Sequence, residues 1–278
     1  MIGRIAAERR RLLGPAQAPW LTEPGGGSAR SSPWRLRGVP VCASTERELD
    51  RWLQYALPAG SGPLQAPLAL LARQQRFGHG QQGRPWLAPP GGVWLSAALP
   101  WPQDPAEAAA PGLAVAVGLA LQLEQLGVPV RLKWPNDLLL QGADGKLAKL
   151  AGLLPRLRLR GDSIRWARLG VGLNGRNPVP AAATNLRRSL GPWGAEPLRL
   201  AARVLLALEW AMAWARRPEE VRQLAEQRLH LGSGLLRLDG DDWRPLGLAR
   251  DGGLRLQCGK RLRVLQRCFD AGPLGADP

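Results

Sequence analysis

Two lysines stand out in this chain, because almost every other basic residue is an arginine. Of the 38 Lys and Arg among 278 residues, only four are lysines, and two of those four flank one turn-rich segment. Lys133 opens the sequence Lys-Trp-Pro-Asn-Asp after an alternating apolar run, and Lys149 follows the turn at 142–145. A strand-turn-strand pair would bring both ammonium groups, with Asn136 and Asp137, to one pocket. A compact ammonium suits a site that a planar guanidinium does not fit, so we expect anion chemistry here.

A glycine-rich loop lies upstream, between two strand-like apolar runs. Gly78, Gly80 and Gly83 have the G-x-G-x-x-G spacing of a dinucleotide site. The prolines and glycines of residues 85–92 leave no room for a helix to begin at the third glycine, so a dinucleotide site is excluded. The remaining interpretation is a loop whose backbone N–H groups, with Arg84, hold an anion.

Taken together, these motifs make the chain similar to the biotin-protein ligases, which activate biotin with ATP and pass it to a lysine of a carrier protein. The family's motifs correspond, in order, to Ser44-Thr45, the loop 75–86, Lys-Trp-Pro-Asn-Asp at 133–137, Lys-Leu-Ala-Gly at 149–152 and Gly-x-Gly-x-Asn at 170–174. The resemblance implies an α/β (α+β) fold. It comprises a mixed-sheet catalytic domain related to class II aminoacyl-tRNA synthetases and a C-terminal SH3-like β-barrel.

The resemblance also assigns roles to individual residues. Lys149 would bridge the biotin carboxylate and the α-phosphate, and Arg84 and Lys133 complete the expected catalytic set. The expected biotin-binding residues are Ser44, Thr45, Glu46, Gln75, Gly78, His79, Gly80, Gln81, Lys149, Gly152 and Gly172. The expected ATP- or adenylate-binding residues are Arg84, Trp86, Lys133, Asn136 and Asn174.

Alternatives remain open at four of these positions. Asp137 either helps to bind Mg²⁺ or caps its turn. Trp86 packs on adenine, on biotin or in the core. Ser44 and Thr45 either cap a helix, with Thr45 and Glu48 as a capping box, or bind the biotin ureido ring.

The chain departs from the family pattern at three positions. The family usually has arginine at the positions of His79 and Gln81, and asparagine at the position of Glu46. An imidazole and an amide thus replace two guanidinium groups in the loop. We therefore expect this loop to hold a phosphate more weakly than the arginine-bearing loops of the family.

The expected chemistry requires positive charge rather than an enzyme nucleophile. A carboxylate must first form a mixed anhydride with AMP, which brings two anions together. Cations and backbone donors around the phosphate meet that need. The chain supplies lysines, Arg84 and a glycine loop, and it has no Ser-His-Asp or Cys-His motif.

Composition limits the other function classes. The net charge of +16 first suggests a basic nucleic-acid-binding module, but the arginines are spread along the whole chain. Cys42, Cys258 and Cys268 are scattered, which predicts reduced thiols in a cytoplasmic protein and no metal cluster. The most apolar run, 198–215, contains charged residues and is predicted to be a packed helix that does not span a membrane.

Composition and hydrophobic patterning divide the chain into four predicted segments. Residues 1–33, rich in Arg, Ala, Gly and Ser, predict a flexible tail without a helix-turn-helix domain. Residues 34–231 are predicted to form the biotin- and ATP-binding catalytic domain. Residues 232–270, with alternating runs between Asp-Gly and Gly-Gly turns, predict the SH3-like domain, and 271–278 a second tail.

The sequence therefore predicts an ATP-dependent biotin-protein ligase of the monofunctional form, with ATP and biotin as substrates and Mg²⁺ as the metal. The expected partner is a biotin carboxyl carrier protein, a subunit of acetyl-CoA carboxylase, with no DNA or membrane involved. A monomer or weak homodimer is expected. A lipoate or octanoate ligase of the same superfamily is the alternative, and it would use a more apolar acyl pocket.

Overall fold

The computed structural model describes residues 1–13, 33–57, 62–142, 144–232 and 234–266. Its helices are α1 (Ile2–Leu12), α2 (Thr45–Ala56), α3 (Pro111–Glu124), α4 (Arg187–Gly194), α5 (Pro197–Ala213) and α6 (Pro218–Glu226). Its strands are β1 (Arg35–Cys42), β2 (Leu68–Gln75), β3 (Val93–Leu99), β4 (Arg131–Lys133), β5 (Asp137–Gln141), β6 (Leu147–Arg160), β7 (Ser163–Leu173), β8 (Leu236–Leu238), β9 (Asp241–Leu248), β10 (Leu254–Cys258) and β11 (Arg261–Leu265).

A seven-stranded mixed sheet forms the centre of the molecule. Its strand order is β1-β2-β3-β7-β6-β5-β4; β1 and β2 are parallel, and the other neighbours are antiparallel. This arrangement confirms the predicted α/β mixed-sheet fold. Central strands covered on both faces are apolar throughout, and all seven residues of β3 are buried.

Helices cover the two faces of this sheet unequally. On one face, α3 and α5 pack on each other and on the sheet. Because α3 lies between α5 and the sheet, it is buried nearly all round. On the other face, the apolar side of α2, formed by Leu49, Trp52 and Leu53, packs on the strands. The part of that face not covered by α2 is left open for a cavity.

The prediction of a flexible tail is wrong for the first thirteen residues, because residues 2–12 form α1. Ile5 and Leu12 are buried, so the helix has an apolar stripe at helical spacing that the tail interpretation overlooked. The stripe packs α1 against α5, where Arg9 forms an ion pair with Glu209. The glycine-rich part of the predicted tail, and the predicted tail 271–278, lie outside the described residues.

Beyond α6, a four-stranded antiparallel sheet is formed in the order β11-β10-β9-β8. It confirms the predicted antiparallel strands and is compatible with an SH3-like domain. Buried apolar residues of this sheet belong to the same core as the central sheet, and hydrogen bonds add to that packing. Trp134 Nε1 donates to the Gly252 carbonyl at 2.9 Å, and Leu248 N donates to Glu226 Oε1 at 2.8 Å.

Candidate active site

A cavity of about 320 Å³ opens on the face of the sheet that α2 leaves uncovered. Strand ends and the glycine loop bring together most of the residues that the sequence predicted for a site. Those lining the cavity are Ser44, Thr45, Glu46, Gln75, His79, Gly80, Gln81, Arg84, Trp86, Lys133, Asn136, Asp137, Lys149, Gly152 and Gly172. The walls also include Gly170, from the Gly-x-Gly-x-Asn motif, and Leu95, Ser96, Leu154 and Val171, which sequence reasoning did not assign to the site.

Lys149 is paired inside this cavity. Its Nζ lies 2.8 Å from Asp137 Oδ1 and 5.2 Å from the centre of the Trp86 ring. The pairing follows from the sheet, because Asp137 begins β5 opposite Gly152 of β6, three residues after Lys149. Neither predicted role of Asp137, Mg²⁺ ligand or turn cap, included this ion pair, in which its charge compensates that of the lysine.

The turn between β4 and β5 holds the other predicted nucleotide residues. Asn136 Nδ2 donates to the Leu153 carbonyl at 2.6 Å, and Leu153 N donates to the Asn136 carbonyl at 2.8 Å. The amide thus fastens the turn to β6. Lys133 is exposed at the end of β4, so its ammonium can reach an anion without breaking an ion pair among the described residues.

Trp86 lies flat against two glycines. A Cβ at Gly172 would come within 2.7 Å of its indole, and one at Gly152 within 3.0 Å. These distances explain why both strands have glycine here, as close-approach positions. The indole Nε1 is buried and has no hydrogen-bond partner in the described part of the chain. Trp86 therefore belongs to the cavity wall; which ligand it packs on stays a prediction.

The predicted capping box at the start of α2 is wrong. Ser44 is the N-cap residue and makes no side-chain cap bond, and Thr45 already lies in the helix. The Thr45 hydroxyl faces the sheet instead, 3.0 Å from Gln75 Oε1 and 2.8 Å from Ser96 Oγ, and Thr45 N donates to the same Gln75 oxygen at 2.7 Å. This buried polar group forms one end of the cavity.

Glu46 belongs to the same end. Its carboxylate pairs with Arg168 of β7 at 2.7 Å, and Arg168 also binds Asp50 one turn further along α2. Arg168 was missed from the sequence. The signal that could have found it is an arginine between Ala167 and Leu169 in a part of the strand, 166–173, that is otherwise apolar.

The glycine loop closes on itself through its backbone. Gly80 N donates to the Arg84 carbonyl at 2.8 Å, and Trp86 N donates to the Gly78 carbonyl at 2.9 Å. Arg84 Nη2 donates to Gln82 Oε1 at 3.1 Å, so its guanidinium stays at the mouth of the loop. Arg84 is the loop arginine that lines the cavity, where the imidazole of His79 also lies.

Two predicted ligand residues do not line the cavity. A Cβ at Gly78 would lie 2.7 Å from the Trp86 carbonyl, so this glycine permits the loop to close rather than a ligand to approach. Asn174 is buried, and its Oδ1 accepts from Asn177 Nδ2 at 3.1 Å. Both assignments rested on the family's motifs, and in this structure both residues support the walls.

Metal ligands are scarce around the cavity. The described residues contain no group of three His, Cys, Asp or Glu side chains that could hold an ion, and the Asp137 carboxylate is already paired with Lys149. The residues present thus do not form a protein site for Mg²⁺. Cys42 and Cys258 are free thiols, and burial raises the pKa of Cys42 to about 11; Cys268 lies outside the described residues.

Among the described residues, no helix has both the length and the apolar character needed to cross a membrane.

The part of the chain that resembles known proteins contains most of the residues that line the cavity. Residues 48–174 match the model of the Biotin/lipoate A/B protein ligase family. Over 130 residues, 45% of the chain, it is 36% identical to the bifunctional ligase/repressor BirA of Escherichia coli (strain K12). Over 111 residues, 38% of the chain, it is 36% identical to the biotin–[acetyl-CoA-carboxylase] ligase of Paracoccus denitrificans. The matches span only 38% and 43% of these relatives' own lengths.

The fold also matches solved structures. The biotin protein ligase from Aquifex aeolicus in complex with biotin and ATP superposes with a TM-score of 0.59 at 22% identity, over 83% of this chain and 95% of that one. At this identity the likeness concerns the fold. Residues 48–174 thus resemble the Biotin/lipoate A/B protein ligase family, and most of the motif residues within them lie around one cavity.

Proposed function

We propose that this protein is an ATP-dependent ligase that activates biotin as biotinyl-5′-AMP and transfers the biotinyl group to a lysine of a biotin carboxyl carrier protein. The observation that carries the proposal is the cavity itself. Lys149, Lys133 and Arg84 supply cations at one part of it, and Thr45, Gln75 and Glu46 supply a polar end.

In the first step, a biotin carboxylate oxygen attacks the α-phosphorus of ATP, a P–O bond forms, and pyrophosphate leaves. Two anions must approach each other, and Lys149 can compensate both once it exchanges Asp137 for them. In the second step, the carrier lysine amine attacks the acyl carbon and AMP leaves. The cavity positions the reacting groups, and no enzyme nucleophile is needed.

The partner, the metal and the compartment are parts of the same proposal. The Paracoccus relative is named for acetyl-CoA carboxylase, which supports a carboxyl carrier protein as acceptor. Mg²⁺ enters with the ATP phosphates, since the cavity's carboxylate pairs with a lysine. Free thiols at Cys42 and Cys258 support the cytoplasm as the compartment.

The decisive test compares Lys149→Ala with Lys146→Ala, a matched change at an exposed lysine outside the cavity. Biotin-dependent exchange of pyrophosphate into ATP and mass spectrometry of the bound biotinyl-adenylate are the readouts. We expect Lys149→Ala to abolish both and Lys146→Ala to leave both intact. Exchange by Lys149→Ala within about threefold of wild type, a loss below about 1 kcal/mol, would contradict the assignment.

A further inference from the structure

A second cavity, of about 510 Å³, lies on the face of the sheet opposite the first cavity, where α1, the strands β2 and β3 and the start of α5 meet. Its inner wall is apolar, because Ile5, Leu71, Val93 and Ala201 line it and all four are buried. Pockets that bind small molecules have volumes of roughly 300–1,000 Å³. The second cavity therefore has room for a small organic molecule against an apolar wall.

Arginines form the rim of this second cavity. Arg4 of α1, Arg73 of β2 and Arg176, which follows β7, all line it and are exposed. Their guanidinium groups make no hydrogen bond, ion pair or ring contact within the part of the chain that the structure describes. Three cations around one concave surface focus a positive field into it, so the rim attracts an anion.

Among the described residues that line the second cavity, one is acidic, and its carboxylate is already bound. Glu196 Oε2 accepts from Leu198 N at 2.9 Å and from Arg199 N at 3.0 Å, so this side chain caps α5. Three arginines against one glutamate leave two positive charges among the lining side chains. A phosphate monoester carries about −1.5 to −2 charges at neutral pH, whereas a carboxylate carries only one. The phosphate is therefore the better match for this rim.

The backbone holds the rim in place before a ligand arrives. Arg176 N donates to the Gly91 carbonyl at 2.8 Å, and Gly91 has a φ of +115°, which favours glycine. A Cβ at Gly91 would lie 2.8 Å from Asn177 N, so the two loop segments are in close contact. Arg4 and Arg73 lie on a helix and a strand. Binding therefore does not have to order the backbone that carries the three cations.

We infer that the second cavity binds a small phosphate monoester with an apolar body. The phosphate lies at the arginine rim, and the apolar body packs against Ile5, Leu71 and Val93. This site is separate from the proposed ligase site, because the two cavities lie on opposite faces of the sheet and share no lining residue.

Isothermal titration calorimetry with three probes tests the inference. The first probe, 1-naphthyl phosphate, has both the dianion and the apolar body; inorganic phosphate lacks the body, and 1-naphthoate carries a single charge. The variants are Arg4→Gln, Arg73→Gln and Arg176→Gln. Arg10→Gln is the matched control, because Arg10 is exposed on the same helix as Arg4 and lies outside the cavity.

Two further titrations separate the second cavity from the first, which also attracts anions. One uses Lys149→Ala, which removes a cation from the first cavity alone. The other uses wild-type protein with biotin and MgATP in excess, so that the ligands of the proposed reaction compete for the first cavity.

We expect one molecule of 1-naphthyl phosphate to bind, with inorganic phosphate at least about tenfold weaker because it buries no apolar surface. Binding of 1-naphthoate should be at least about threefold weaker, and each substitution of a rim arginine should raise Kd about three- to tenfold. Added salt should weaken binding, since the three cations are exposed to solvent. Arg10→Gln, Lys149→Ala and the presence of biotin and MgATP should each change Kd by less than about twofold.

Four results would overturn the inference. They are no saturable binding of 1-naphthyl phosphate up to about 1 mM, a Kd within about twofold of wild type in all three rim variants, equal binding of 1-naphthoate, and loss of binding in Lys149→Ala or with biotin and MgATP. The last result would place the probe in the first cavity. All three rim substitutions are at exposed positions, and thermal unfolding of each variant verifies that it is folded.

Discussion

The ion pair between Lys149 and Asp137 sets a condition on any anion that enters the cavity. Its Nζ lies 2.8 Å from Asp137 Oδ1, so a carboxylate or phosphate that binds the lysine must compete with Asp137 for its charge. Two charged ligands arriving together compete better than one. If the proposed function holds, this pairing at the scale of single residues favours the binding of biotin and nucleotide together.

The contact between Gly172 and Trp86 leads to a prediction of its own. In Gly172→Ala, the new Cβ would lie 2.7 Å from the indole, so Trp86 must move into the cavity or β7 must shift. We expect KM for biotin or ATP to rise about tenfold or more, with a small loss of stability, because the clash falls on the cavity wall. Pyrophosphate-exchange kinetics and thermal unfolding provide the check.

Gly234→Ala is the matched control, since a Cβ there meets no atom within 4 Å. The explanation by crowding would be wrong if Gly172→Ala and Gly234→Ala gave the same kinetics.

The loop leads to a second residue-scale prediction. His79 and Gln81 line the cavity at positions where the resembling family usually has arginine. Each lost charge-assisted bond weakens phosphate binding by roughly 1.5–3 kcal/mol, so biotinyl-adenylate should escape and label bystander lysines. In Gln81→Arg, we expect slower adenylate release and less labelling of an unrelated lysine-rich protein. Equal release rates for Gln81→Arg and wild type would show that Arg84 already compensates.

The limits of sequence reasoning are clearest at single residues. Lys149, Lys133 and Asp137 were found because a motif carries them in one short segment. Arg168 and Ser96 were not, because their neighbours in space, Glu46 and Thr45, lie 122 and 51 positions away. Only the sheet order brings these partners together, and a local pattern does not contain it.

At the scale of elements, residues 2–12 were predicted to be a flexible tail, but they form α1 and are held by a buried ion pair. Arg9 and Trp34 Nε1 both bind Glu209 on α5, so the helix and the start of β1 share one buried carboxylate. Burial raises the pKa of Glu209, although Arg9 acts in the opposite direction. The alanine- and arginine-rich composition of this segment suggested a tail. The buried positions Ile5, Arg9 and Leu12 are four and three residues apart, and this spacing indicates a helix.

We therefore predict that Arg9→Ala destabilises the fold by roughly 3–5 kcal/mol near pH 7, since it leaves a buried carboxylate unpaired. A carboxyl with a raised folded-state pKa contributes stability below its unfolded pKa, and that contribution is lost as the pH rises through the folded value. Without Arg9, this loss grows, so the destabilisation should be larger at pH 7 than at pH 4.

Arg10→Ala, an exposed change on the same helix, serves as the control in chemical denaturation at both pH values. If the two variants are equally stable, the ion pair of Arg9 does not stabilise the fold, and α1 behaves as the predicted tail would. Removal of residues 1–13 should destabilise at least as much as Arg9→Ala, because it also exposes the surface that buries Ile5 and Leu12.

At the scale of the whole molecule, the C-terminal sheet braces the motif that holds Lys133. Trp134 Nε1 donates to the Gly252 carbonyl at 2.9 Å, and Gly252 turns with φ of +84° next to Ala110. The two partners are 118 positions apart. The sequence predicted each sheet separately from its own alternation, but nothing in it indicated that one sheet is hydrogen-bonded to the turn that follows β4 in the other.

Trp134→Phe tests this brace, because it keeps an aromatic ring and removes the indole donor. We expect a loss of about 1 kcal/mol, as the half-buried Gly252 carbonyl loses its donor. Adenylate formation should slow severalfold, since Lys133 and Asn136 lie on either side of the released residue. Trp193→Phe, at a tryptophan that is 79% exposed, controls for the same chemical change.

Unfolding curves and pyrophosphate-exchange rates are compared for both variants. If Trp134→Phe behaves like Trp193→Phe in kinetics while losing stability, the C-terminal sheet supports the fold alone and does not position the turn.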